Sequence, residues 1–244
     1  MALGSTDFEI SELSRAERLE YLRRKMAAVP AKGEAVVAAL PSDGREVLAV
    51  PGPLAELLPR RGLARGSVSV VSGANSLLLG ILAAVTNEGM FAAVIGLPKL
   101  GLLAATEMGA RLDRLALIPE AGPDPAGVAA VLLDGIDLVV LGLGGATVSP
   151  ARARAVVARA RSKQAALLVT DGQFGGAEVS IDARVEGYSG LGQGVGRVCA
   201  VALSVRTKSK AYGVRNGRFD LSTRSEMCVE WRPGVVRQPA AVAL

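Results

Sequence analysis

Along residues 9–29, apolar side chains recur every three or four positions: Ile10, Leu13, Ala16, Leu19, Leu22, Met26 and Val29. That period predicts an amphipathic helix. Ser14 and Glu17 fit a capping box that would start it. Residues 30–52 lose the period and are punctuated by Pro30, Gly33, Pro41, Gly44, Pro51 and Gly52, which predicts a connector. A short helix is expected over 53–58, before Pro59. From Arg65 the pattern changes to short, continuous apolar runs separated by helical segments. Strands are predicted at 68–71, 91–95, 114–118, 138–141 and 165–169. Helices are predicted between and after them, at 75–87, 99–109, 124–133 and 151–163. Strands that are apolar throughout belong to a sheet covered on both faces. Their alternation with helices predicts an α/β fold with a mainly parallel sheet.

After Thr170 the period becomes two. Val179, Ile181, Ala183 and Val185 alternate with polar residues inside a glycine-rich stretch, and 198–205 is a further strand. Asn216-Gly217, flanked by strand residues, is a hairpin signal. Antiparallel strands are therefore expected to extend the sheet. Three parts follow: residues 1–52 (amphipathic helix and connector), 53–232 (core) and 233–244 (tail).

Composition narrows the chemistry. A chain of 244 residues can bury roughly 70–75% of its unfolded surface without staples. Mean hydropathy is +0.36. The longest apolar run, 77–85, is still about half of the ~20 residues a membrane helix needs, and the N-terminus has no signal-peptide core. A cytoplasmic protein without membrane contact is expected. There is no histidine, which removes histidine-based triads and the common zinc sets. Cys199 and Cys228 stand in apolar or alternating stretches and read as small buried hydrophobes. The net charge of +5 permits nucleic acid or an acidic partner.

Residues 67–80 have the strand–loop–helix setting of a phosphate-binding loop, G-x-x-x-x-G-K-[ST]. With the first glycine at Gly73, the second glycine position is Leu78, the lysine position Leu79 and the hydroxyl position Gly80. Leucine cannot meet a phosphate, and glycine offers no hydroxyl to Mg²⁺.

The lead-in at 58–73, the strand at 89–98, the segment AATEMGARLDRLAL (104–117), the strand at 136–142 and Ser149-Pro150 together resemble the RecA-family ATPase core over about residues 58–225. The resemblance implies a RecA-like, mainly parallel central sheet with helices on both faces, extended by C-terminal antiparallel strands. By that resemblance the catalytic glutamate position is Pro98 and the strand-end aspartate position is Gly142. All the matched ATP functions are thus replaced, which implies no ATP cofactor, no metal and no catalytic residue.

A degenerate RecA-like chain of this size with a basic N-terminal helix resembles the ImuA family, especially its actinobacterial ImuA-prime type. This implies a nucleoid-associated or cytoplasmic accessory role in damage-induced translesion synthesis and mutagenesis. The implied partners are an ImuB-like Y-family polymerase relative and an error-prone C-family DNA polymerase. Alternatives are a divergent nucleotide-dependent repair ATPase and a SulA-like division inhibitor.

Two surfaces are candidates for contacts. In the N-terminal helix, Leu13, Leu19, Leu22 and Met26 could dock a partner. Its basic face (Arg15, Arg18, Arg23, Arg24, Lys25) is either solvated or a nucleic-acid contact. Near the hairpin signal, Arg206, Lys208, Lys210, Arg215 and Arg218 interleave with Tyr212 and Phe219. That mixture is either a solvated strand face or a DNA-binding surface with bases stacked on the rings. The loop region 171–197, whose charges nearly balance, is either a flexible connection between strands or, as the resemblance implies, a DNA contact. Arg152, Arg159 and Lys163 are expected along the exposed face of a helix over the sheet.

Overall fold

The computed structural model describes residues 46–191, 196–225 and 228–234. The segment with Leu13, Leu19, Leu22 and Met26 lies outside the described residues, as does the chain beyond Gly234.

Strand β1 (Val47–Leu48) pairs antiparallel with β2 (Leu63–Ala64), and α1 (Gly52–Leu57) lies between them in sequence. The proline and glycine punctuation predicts only a connector before residue 53, so this ribbon is an addition. It is closed by the Arg65 N–H donating to the Glu46 carbonyl at 2.9 Å. The order then runs β3 (Val68–Gly73), α2 (Asn75–Asn87), β4 (Ala92–Ile95), α3 (Leu102–Glu107) and a 3-10 turn (Leu112–Arg114). Next come β5 (Leu115–Ile118), α4 (Pro125–Leu132), β6 (Leu138–Gly142), α5 (Pro150–Lys163) and β7 (Ala166–Thr170). Four long or edge strands complete it: β8 (Val179–Leu191), β9 (Gly196–Ser209), β10 (Gly213–Ser225) and β11 (Cys228–Pro233).

Among the described residues, nine strands form one sheet in the order β11-β10-β9-β8-β3-β7-β6-β4-β5. From β5 to β8 every pairing is parallel, and from β8 to β11 every pairing is antiparallel. The fold is α/β with a large mixed sheet, and the antiparallel extension agrees with the period-two pattern after Thr170.

Each face has its own core, because strand side chains alternate. Val71, Val94, Val140 and Leu168 face α2, and that layer continues under Ile181, Val205, Phe219 and Leu221 of the antiparallel strands. Ile95, Val139, Leu141, Leu167 and Val169 face the other way, packed with Ala129 of α4 and Val156 and Ala160 of α5. Every residue of β4 and β6 is buried, as their unbroken apolar runs require. Among the described residues, the antiparallel strands are covered on the α2 side only. On the other side their polar alternates remain exposed.

The N-terminal edge of the parallel strands is tied by Arg65, which pairs with Asp137 and with Glu46. Arg65 donates to Asp137 Oδ1 at 2.7 Å and to the Gln164 carbonyl at 3.3 Å, while Asp137 Oδ2 accepts from the Phe91 N–H at 2.8 Å. Arg152 pairs with Asp124 at the N-cap of α4, and Arg159 and Lys163 with Asp134 after its C-terminus. These three cations of α5 therefore clamp α4 rather than standing free. The guanidinium of Arg159 beside Asp134 holds that carboxyl below its usual range.

Two local expectations are corrected. Asn216-Gly217 is not the hairpin turn: both lie inside β10, opposite Arg206 and Val205. The reversal is at residues 210–212, closed by Gly213 at φ +76°. Gly217 is used for close approach instead, since a Cβ there would lie 2.9 Å from Leu57 Cδ1 of α1. Cys199 is exposed rather than buried, because it sits on the distal part of β9, beyond the reach of the core. The side chain of Cys228 lies outside the described residues.

Candidate functional site

In open α/β sheets, ligands bind outside the C-terminal ends of the parallel strands. Gly73, Pro98 and Gly142 all follow or end such strands, on β3, β4 and β6. What occupies the space there is therefore decisive.

At β3 the ladder with β8 continues to Gly73, which pairs with Ala183. The next N–H, of Ala74, donates to the Ala183 carbonyl at 2.8 Å. A Cβ on Gly73, at φ +90°, would collide with that same carbonyl. Helix α2 begins at Asn75, so Ala74 alone joins strand to helix. A phosphate cradle needs several successive N–H groups turned outward around the anion. Here one residue makes the connection, and its N–H is spent on β8.

The following positions are packing positions. Leu78 is 2% exposed and belongs to the core under α2. Leu79, at the lysine position, packs with Ala83 against Ala105 and Ala110 of the α3 region. Gly80, at the hydroxyl position, lies against the indole of Trp231 from β11, and a Cβ there would overlap the ring. Gly142 is equally constrained: a Cβ would lie 2.6 Å from Leu97 Cδ2 and 2.9 Å from the Gly96 carbonyl. The Leu97 side chain thus fills the place an aspartate at 142 would need. Pro98 is exposed in the turn between β4 and α3.

The second region is the open face of β8, β9 and β10. Ser180, Asp182 and Arg184 project from β8, Ser204, Arg206 and Lys208 from β9, and Asn216 from β10. Together with Ser72 they line a groove of about 490 Å³. Asp182 is engaged by Arg184 at 3.1 Å and accepts from Ser72 Oγ at 3.0 Å. Arg218 reaches Glu186 at 3.1 Å.

The structure divides the basic cluster read from the sequence. Arg206, Lys208 and Arg218 share the open face, and Lys210 is exposed in the adjacent turn. Tyr212 and Arg215 do not join them. Arg215 lies over the Tyr212 ring at 4.5 Å and donates to the Glu56 carbonyl of α1 at 3.4 Å, on the covered side. Burial pushes the Tyr212 phenol above its usual value. Phe219 is 3% exposed and meets Trp231 edge-on at 6.4 Å, so it offers no surface for a base. Of the groove residues, Ser180 and Ser204 carry no motif in the sequence, Arg184 is read there only within the 171–197 loop, and Asn216 only as part of a turn. Their signal was the polar half of the same alternation that marks Ile181 and Ala183 as core.

The C-terminal edge of the parallel strands falls within the segment that known proteins share. A description of the MT3502 N-terminal domain matches residues 56–176. The uncharacterized protein Rv3395c of Mycobacterium tuberculosis is 49% identical over 202 residues, covering 80% of this chain and 93% of that protein. The chain belongs to the family of Rv3395c. The family's N-terminal domain runs from α1 to the loop after β7, so it contains Gly73, Leu78, Leu79, Gly80, Pro98 and Gly142. Strands β8–β11 follow it. No helix among the described residues is long and apolar enough to cross a membrane.

Proposed function

We propose that this protein is a RecA-like scaffold of the ImuA-prime type that does not hydrolyse ATP. It acts as an adaptor in damage-induced translesion synthesis, holding an ImuB-like Y-family polymerase relative together with an error-prone C-family polymerase. The observation that carries this reading is the conversion of the ATP positions to packing: Leu79 under α3, Gly80 under Trp231, and Gly142 against Leu97. Losing a lysine alone would leave an empty pocket that another cation could serve. Filling the space with core side chains removes the pocket while keeping the sheet that supported it. What such a scaffold retains is surface.

Two measurements test the reading. Titration with a fluorescent ATP analogue should give no saturable, Mg²⁺-dependent binding. Micromolar binding that needs Mg²⁺ would favour a divergent ATPase instead. Co-purification from cells after DNA damage, with mass spectrometry, should enrich the two polymerase relatives. Their absence from the captured set would remove the adaptor role.

A further inference from the structure

We propose that the open face of β8–β10 is a binding groove for the phosphate backbone of single-stranded nucleic acid, centred on Arg206 and Lys208. This rests on the geometry of that face and is independent of the adaptor reading.

The charges on the face are graded. Toward β11, cations are matched: Arg232 pairs with Glu230 at 2.8 Å, and Asp220 stands opposite Arg232 on the neighbouring strand. Arg218 is held by Glu186 and Arg184 by Asp182. At the other end, Arg206 and Lys208 make no ion pair with any described residue, although Arg206 stands directly opposite Asp182 in the ladder. Asp182 is already committed to Arg184 and Ser72. The two cations occupy alternate positions on β9, about 6.6 Å apart along the strand, with Lys210 continuing the row into the turn. Parallel, unneutralised cations repel, and an anion between them relieves the repulsion.

The remaining lining suits phosphate oxygens. Ser180 is opposite Lys208, and Asn216 is opposite Arg206. Hydroxyl and amide donors beside Arg and Lys are the usual contacts to phosphate and sugar, and they carry no sequence information. Among the described residues, no aromatic ring lines the groove. Tyr212 is covered by Arg215 and Phe219 is in the core, so base stacking has no platform here. Binding should therefore follow the backbone and ignore the bases. The groove is open and flanked by a strand row, which suits a chain of phosphates better than one small anion.

The test uses the full chain and a labelled oligothymidylate, with affinity measured against salt. Each phosphate contact to a single strand contributes a slope of about −0.7 in log K against log salt, so R206Q/K208Q should be shallower by about 1.4. Its affinity at low salt should fall about tenfold or more. R215Q removes a cation of equal charge from the opposite face and should stay within about twofold of the original protein. Both variants should keep the original melting temperature, since R206Q/K208Q alters exposed residues and R215Q removes one surface contact. An abasic oligomer of the same length should compete as well as oligothymidylate. The proposal is overturned if R206Q/K208Q keeps the original salt slope, or if R215Q loses as much affinity. It is also overturned if the abasic oligomer fails to compete, which would indicate base recognition. Displacement by inorganic pyrophosphate at the same phosphate concentration would assign the groove to a small phosphate ligand instead.

Discussion

The parallel and antiparallel halves share one sheet but have opposite relations to solvent. In the parallel half, helices cover both faces, and even the C-terminal edge is filled by Leu79, Leu97 and the Trp231 indole against Gly80. In the antiparallel half, α1 and α2 cover one face and the other carries Ser180, Arg184, Arg206, Lys208 and Asn216 in the open. The strand ends that carry ligands in open α/β sheets are filled here, while the polar face beside them is open. A side chain changed in the first half should be felt as packing, while one changed on the open face of the second should leave stability nearly unchanged.

That contrast can be broken most severely at Gly142. Introducing an acid there (G142D) drives a Cβ to 2.6 Å from Leu97 and 2.9 Å from the Gly96 carbonyl and buries a charge without a partner among the described residues. The expected loss is about 3 kcal/mol or more in chemical denaturation. A cost below about 1 kcal/mol would mean that Leu97 can move aside and leave room for an acid.

The next largest effect is expected at the opposite edge of the same half. D137A leaves Arg65 without its 2.7 Å acceptor and the Phe91 N–H without its side-chain partner. The pair is mostly buried, at 17% and 23% side-chain exposure, so about 2 kcal/mol should be lost. D137N keeps one acceptor oxygen and should recover part of it.

In the antiparallel half, R206Q/K208Q should change stability by no more than about 0.5 kcal/mol, because both side chains are exposed and neither is paired with a described residue. A loss as large as that of D137A would show that the face is structural and would erase the contrast.

The smallest effect concerns Tyr212. Its phenol is raised by burial, so the folded state favours the neutral form. The original protein should lose stability as pH rises past the unfolded tyrosine value of about 10, with the loss levelling off above the raised folded value. Y212F should lack this part of the alkaline decline. Identical alkaline melting curves for the two proteins would place Tyr212 in solvent.

Much of the parallel half was legible because each of its elements answers to a local rule. Helix α2 spans the predicted 75–87, and β4 and β6 follow from apolar runs with no polar alternate. Asp124 caps α4 by accepting from the Gly127 N–H at 2.9 Å, and Pro150 opens α5. Where local rules compete with packing they misled. Asn216-Gly217 has the chemistry of a tight turn, yet the ladder with β9 runs through it because Gly217 is needed beneath Leu57. Cys199 sits in an apolar stretch, yet β9 extends beyond the core that would bury it. The candidate DNA cluster was a run in sequence, and alternation on the strands sends Arg206 and Lys208 to one face and Arg215 to the other.

By itself the sequence determined the α/β class, the position of most strands and helices, and the absence of a G-K-[ST] triplet after β3. These are properties of residue identity and of periods three to four or two. Only the tertiary structure decided what packs at Leu79, Gly80 and Gly142 and which cations share a face. Leu97 meets Gly142, Trp231 meets Gly80, and Ser72, Arg206 and Asn216 line one groove, because strands distant in the chain lie side by side in the sheet. Those contacts depend on strand order and register, which no local pattern encodes.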